Sequence, residues 1–120
     1  MKRNEDCIRA IMIYLEKNLS PSKKIKGRDI YNALKEFSTD DIDESINIIL
    51  ERKLIIKKNI DNVPPKAVYF SRITDKGHNY LEMVRNDNVW NSLKDKFKGF
   101  LMPENIISVF DLFLSSQGLK

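Results

Sequence analysis

Few residues of this 120-residue chain could carry out chemistry on a substrate. His78 is the one histidine and Cys7 the one cysteine, and neither stands in a nucleophile-and-base motif or at metal-ligand spacing from a partner. The four glycines form no loop that would cradle a phosphate. Asp40, Asp41, Asp43 and Glu44 are dense enough to attract a divalent cation, but the spacing and the glycine of a calcium loop are missing. The sequence therefore predicts no catalytic residue, no metal site and no cofactor, and the chain is expected not to be an enzyme. Cys7 is expected as a small buried hydrophobe, and His78 as a surface or packing residue.

The basic residues are the more informative set. The formal net charge is only +4, but it is segmented. Five bases face two acids between Pro21 and Phe37; five acids face no base between Ser38 and Glu51; six bases face Asp61 alone between Arg52 and Arg72. Charge segregated in this way suits a phosphate backbone. The candidate nucleic-acid contacts are Lys23, Lys24, Lys26 and Arg28 in the first basic strip and Lys57, Lys58 and Lys66 in the second. Ser45, Asn47 and Arg52 are added from the intervening helix. The acids Asp40 to Glu44 oppose phosphate at the start of that helix, where their expected role is to complement its dipole. A protein-interaction module, using the acidic helix or the apolar C-terminal segment, is the alternative reading. Solvated surface lysines are the bland one.

Those residues need elements to hold them. Ile8, Ile11, Met12, Leu15 and Leu19 fall at helical spacing and predict a first helix between Glu5 and Leu19. A second helix is expected from Gly27 to Asp29 as far as Phe37, with Ile30, Leu34 and Phe37 inward. Ser38, Thr39 and Asp40 offer caps for a third, burying Ile42, Ile46, Ile49 and Leu50. The β-branched run Leu54–Ile60 and the run Ala67–Ile73 read as a hairpin with a proline-containing tip. Thr74 then caps a helix burying Tyr80, Leu81 and Val84, with Gly77 permitting close backbone approach. Asp87 or Asn88 caps another that carries Val89, Trp90, Leu93 and Phe97 and ends at Gly99; Trp90 is expected in the core. Pro103 and Glu104 open a last helix, apolar on nearly its whole circumference.

The order three helices, strand, wing, strand, helix is that of an α+β winged helix: a three-helix core plus a β-hairpin wing, here with extra C-terminal helices. Asp43 to Ile55 resembles the third helix and its exit into the strand. Ile73-Thr74-Asp75-Lys76-Gly77-His78-Asn79-Tyr80-Leu81 resembles the passage from the hairpin into the following helix. Thr74 to Phe97, including Val89-Trp90-Asn91-Ser92, is similar to the YjcQ-like family and related phage or prophage proteins, which are small winged-helix proteins of unknown function. The resemblance implies the fold and a bacterial or phage source, and transfers no catalytic residue. Lys53 stands where the helix exit usually has glycine, so that position is expected to avoid left-handed backbone strain.

Residues 1–86 are therefore expected to form a winged-helix domain that binds double-stranded DNA, as a transcriptional regulator would. Residues 87–120 are expected to form a helical extension that braces it or joins two copies. The expected homodimer contacts are Ile106, Ile107, Phe110, Phe113 and Leu114. No stretch is apolar over the roughly 20 residues that cross a bilayer, so no membrane partner and a cytoplasmic location are expected.

Overall fold

Four helices start on a side-chain cap. Asn4 accepts the Cys7 amide at 3.0 Å and opens α1 (Glu5–Asn18), whose first turn carries Glu5 and Asp6 at the positive end of the helix dipole. The computed structural model describes residues 4–59 and 61–116. After α1 come β1 (Ile25–Lys26), α2 (Gly27–Ala33), α3 (Thr39–Glu51), β2 (Ile55–Lys57) and a 3-10 turn at Pro65–Ala67. β3 (Tyr69–Ile73), α4 (Asp75–Val84), α5 (Asp87–Phe97) and α6 (Ile106–Ser116) follow. Ser38 caps α3 through the Asp41 amide, Thr74 caps α4 through the Gly77 amide, and Asn86 caps α5 through the Val89 amide.

The architecture is α+β: helices and a three-stranded antiparallel sheet ordered β1-β3-β2, whose one face is buried against the core. Ile25 pairs with Phe70 and Lys26 with Tyr69 on one side of β3. Ile55 pairs with Ile73 and Ile56 with Arg72 on the other, the register shifting before Lys57 meets Phe70. Phe70, Ile25 and Ile55 face the core with Ile8, Ile11, Met12, Leu15, Ile46 and Ile49. Cys7 is also fully buried, and burial pushes its thiol up to about 11.

The C-terminal helices share this core. Trp90 is 2% exposed, and its indole N–H donates to Asp6 of α1 at 2.8 Å. Arg9 spans the α4–α5 junction. Its guanidinium donates to the carbonyls of Val84 and Arg85 and to the Asp87 carboxylate, at 2.7, 3.0 and 2.7 Å, and lies 5.3 Å from the Trp90 ring centroid. It thus satisfies carbonyls that the end of α4 leaves open. Glu5 accepts the amides of Gly99 and Leu101, tying the turn before α6 to α1.

Several expectations are corrected. α2 ends at Ala33, so Leu34 caps it and Phe37 lies in the following turn. The two-residue strand β1 was not foreseen, because its partner lies more than 40 residues downstream. The hairpin strands are shorter than expected, Ile60 lies outside the described residues, and α6 starts at Ile106. Asn86, not Asp87 or Asn88, caps α5. Lys53 adopts φ +59°, the left-handed conformation it was expected to avoid. Ile106 and Phe113, expected at a dimer surface, are 2% and 8% exposed and pack with Val109 into the chain's own core. Ile107 is exposed, and Phe110 and Leu114 are half-buried.

Candidate nucleic-acid interface

Two lysine–tyrosine pairs organise the basic surface. The hairpin continues past β2: Lys58 donates its amide to the Tyr69 carbonyl at 2.8 Å, and Asn59 accepts the Tyr69 amide at 2.6 Å. The backbone bond from Lys58 and the Asn59 side-chain oxygen together fix Lys58 beside Tyr69, with its ammonium 5.6 Å from the ring centroid. Lys26 is the cross-strand partner of Tyr69 on the other side. Tyr69 is thus flanked by a lysine on each neighbouring strand.

The second pair depends on the prolines. Pro64 and Pro65, with φ preset, start the 3-10 turn, and Ala67 donates back to the Pro64 carbonyl at 2.9 Å. The turn packs on the start of α2 because Gly27 has no Cβ; one there would collide with the Pro65 carbonyl oxygen. Gly27 also donates to the Val68 carbonyl at 2.8 Å, and the Asp29 carboxylate turns back to accept the Lys26 amide at 3.1 Å. Lys66 is thereby set with its ammonium 5.1 Å from the centroid of Tyr31 on α2. The Tyr31 hydroxyl donates to the Asp43 carboxylate. Burial, then that hydrogen bond and the Asp43 charge, push the phenol well up from its ordinary range, so it stays a donor.

Of the ten residues expected from sequence, Lys23, Lys26, Arg28, Lys58 and Lys66 are exposed; Lys26 and Lys58 meet at Tyr69, and Lys66 lies over Tyr31 with its backbone against Gly27. Asn47 is exposed on α3. It lies in a groove against the wing whose walls also include Glu44, Glu51, Lys57 and Asn62. Four residues are committed elsewhere. Lys24 donates to the Ser71 carbonyl at 3.1 Å and clips β1 to β3; Lys57 donates to the Asp61 carbonyl at 3.3 Å. Arg52 pairs with Glu104 at 3.1 Å, and that hydrogen bond and charge raise it from its ordinary value. Ser45, expected on the exposed side, is 1% exposed beside the Cys7 thiol, where its small side chain lets α1 and α3 approach. Tyr31 and Tyr69 were not among the expected residues, since only the fold brings their lysines to them.

The solvent side of α3 is acidic. Asp40 and Glu51 are exposed, Asp43 and Glu44 half-buried, and the helix contains no lysine or arginine. His78 is exposed on α4, and among the described residues no group of three His, Cys, Asp or Glu is placed to hold a metal ion. No helix of the described residues is long and apolar enough to cross a membrane.

The chain is 29% identical over 98 residues to an uncharacterized protein of Haemophilus influenzae, a match that covers 82% of this chain and 80% of that one. No solved structure matches it. The family model described as "Hypothetical protein (DUF2513)" matches residues 2–100, the span from the first helix through α5 that holds both lysine–tyrosine pairs, and the chain belongs to that family.

Proposed function

We propose that this protein is a winged-helix DNA-binding protein of a bacterium or phage, acting in the cytoplasm as a transcriptional regulator. In this reading α1, α2 and α3 are the three-helix core, β1 is the short strand between the first two helices, and the hairpin from β2 to β3 is the wing. The carrying observation is that Lys26 and Lys58, from two separate segments, meet at Tyr69, with Lys66 of the 3-10 turn set over Tyr31 of α2 and Arg28 exposed in the first turn of α2. Cations gathered by tertiary structure suit a polyanion better than an even scatter does. α5 and α6 brace the domain, and self-association would use Ile107, Phe110 and Leu114, at i, i+3 and i+7 of α6. The YjcQ-like resemblance of Thr74 to Phe97 fits this assignment.

Fluorescence anisotropy of labelled mixed-sequence duplex DNA, at two salt concentrations, tests it. Binding that weakens steeply and log-linearly with salt is the expected result; no binding at low salt rejects it. The acidic outer side of α3 favours a second reading, a winged helix that holds a protein instead of DNA. Retention of a partner through that side, with no DNA affinity, would select it.

A further inference from the structure

We propose that this chain holds duplex DNA by its phosphates on the wing and sheet side, with α3 turned away from the bases, so that binding is independent of sequence. The inference rests on the DNA-binding part of the reading above, not on recognition of an operator sequence, and concerns how the duplex is seated. In a winged helix that reads sequence, the N-terminal part of the third helix lies in the major groove and its side chains reach base edges. Here that position holds Asp40, Asp41, Asp43 and Glu44. Two of these acids are fixed in place: Asp41 accepts from the Asn4 amide group at 3.1 Å, and Asp43 accepts the Tyr31 hydroxyl. They cannot swing aside to admit phosphates. The base-reading side chains expected on α3 are also reduced to one, because Ser45 is buried and Arg52 is paired with Glu104, leaving Asn47.

The outer side of the sheet offers the opposite electrostatics. Lys26 and Lys58 stand on the strands to either side of Tyr69, roughly 10 Å apart at two strand spacings. Lys66 and Arg28 extend the surface around Gly27, and Lys23 precedes β1. Of the acids beside these bases, Asp29 is turned back onto the Lys26 amide, and Asp43 is held by the hydroxyl of Tyr31, whose ring Lys66 covers. Both tyrosines have an ammonium over the ring, so neither ring is open on that side as a stacking platform for unpaired bases. Four of these five charges are lysine ammoniums, point charges that position a backbone and do not read bases; Arg28 is the one planar fork among them. With four or five phosphates neutralised, the log–log salt slope is about −4, or on the order of 200-fold weaker binding between about 50 and 200 mM salt.

The test is anisotropy with two duplexes of unrelated sequence, using the full chain and three variants whose fold is checked by circular dichroism. At about 150 mM salt, where charges more than about 8 Å apart are largely screened, Lys58→Glu with Lys66→Glu should weaken binding at least about 20-fold. Asp40→Asn with Glu44→Gln, and separately Asn47→Ala, should change it less than about threefold, since Glu44 and Asn47 line the groove on the α3 side of the wing and Asp40 stands at the start of α3, off the strand face that carries Lys26 and Lys58. The two duplexes should bind within about threefold of each other. A tenfold preference for one sequence, a tenfold gain on neutralising the α3 acids, or a tenfold loss in Asn47→Ala would overturn this seating while leaving DNA binding intact. No binding of either duplex by the unaltered chain at low salt would overturn the DNA-binding reading and this inference together.

Discussion

Gly77, in the first turn of α4, lies so close to Leu54 that a Cβ would collide with the Leu54 carbonyl oxygen and sit 2.7 Å from Cγ2 of Ile73. The same carbonyl accepts the Thr74 amide at 3.0 Å and the Thr74 hydroxyl at 3.1 Å, so the residue before β2 and the cap of α4 form one joint. Gly77→Ala must push a helix off a strand and should cost about 2–3 kcal/mol, the range for overpacking a core. Urea denaturation should show a lowered midpoint with an unchanged slope. Gly99→Ala is the control: nothing lies within 4 Å of its Cβ position, so only its φ of +92° is penalised.

At Lys53 a stabilising change is expected. Its φ of +59° disfavours any residue with a Cβ by about 1–2 kcal/mol, against about 0.5–1 kcal/mol for the extra chain entropy of glycine. Lys53→Gly should therefore raise stability by about 0.5–1 kcal/mol. The carbonyl of residue 53, which accepts the Thr74 hydroxyl at 2.7 Å, is backbone and is kept by the substitution. A lowered melting temperature would mean that the Lys53 side chain contributes more than the strain removes.

These two sites mark what was legible in the sequence. Thr74 and Gly77 could be read because a cap and a close approach are local chemistry between residues three apart. So could the inward faces of α1 and α4, where periodicity reports burial directly. The left-handed turn at Lys53 could not, since it follows from how β2 leaves α3 to meet β3. Ser45 looks like a surface polar residue in any one-dimensional pattern, and only the approach of α1 buries it. Arg52 reads as free until Glu104, 52 residues later, arrives beside it. The charge strips that suggested an interface were visible, but which of their lysines are committed to carbonyls was not.

Asp6 gives the fold an acid-sensitive contact. Burial alone would raise its carboxyl, but hydrogen bonds from Trp90 and Lys94 and the charges of Lys94 and Arg9 outweigh it and hold it below the usual carboxylate range. Above roughly pH 4 the group is ionised in folded and unfolded chains alike, and its stabilisation is fully present. As the pH falls through the lowered folded value, the unfolded chain has already taken up its proton and that stabilisation is lost. The melting temperature of Asp6→Asn should thus lie below that of the parent chain at pH 6 and converge on it as the pH falls through that lowered value. A constant gap across this range would show that Asp6 acts through packing alone.

On α6 two neighbouring apolar residues should behave oppositely. Phe113 is packed into the core with Ile106 and Val109, and its ring lies 6.2 Å from that of Phe110. Phe113→Ala should cost about 3 kcal/mol, the lower end for a buried phenylalanine, because the site is at the rim and can partly collapse. Ile107, 62% exposed, has no such role, so Ile107→Asp should leave stability within about 0.5 kcal/mol. Light scattering at high protein concentration separates the surface role from the core role. If two copies pair along Ile107, Phe110 and Leu114, Ile107→Asp makes the protein monomeric without lowering its melting temperature. If the parent chain is already monomeric at that concentration, α6 braces the core from one side only, and self-association through this helix is rejected.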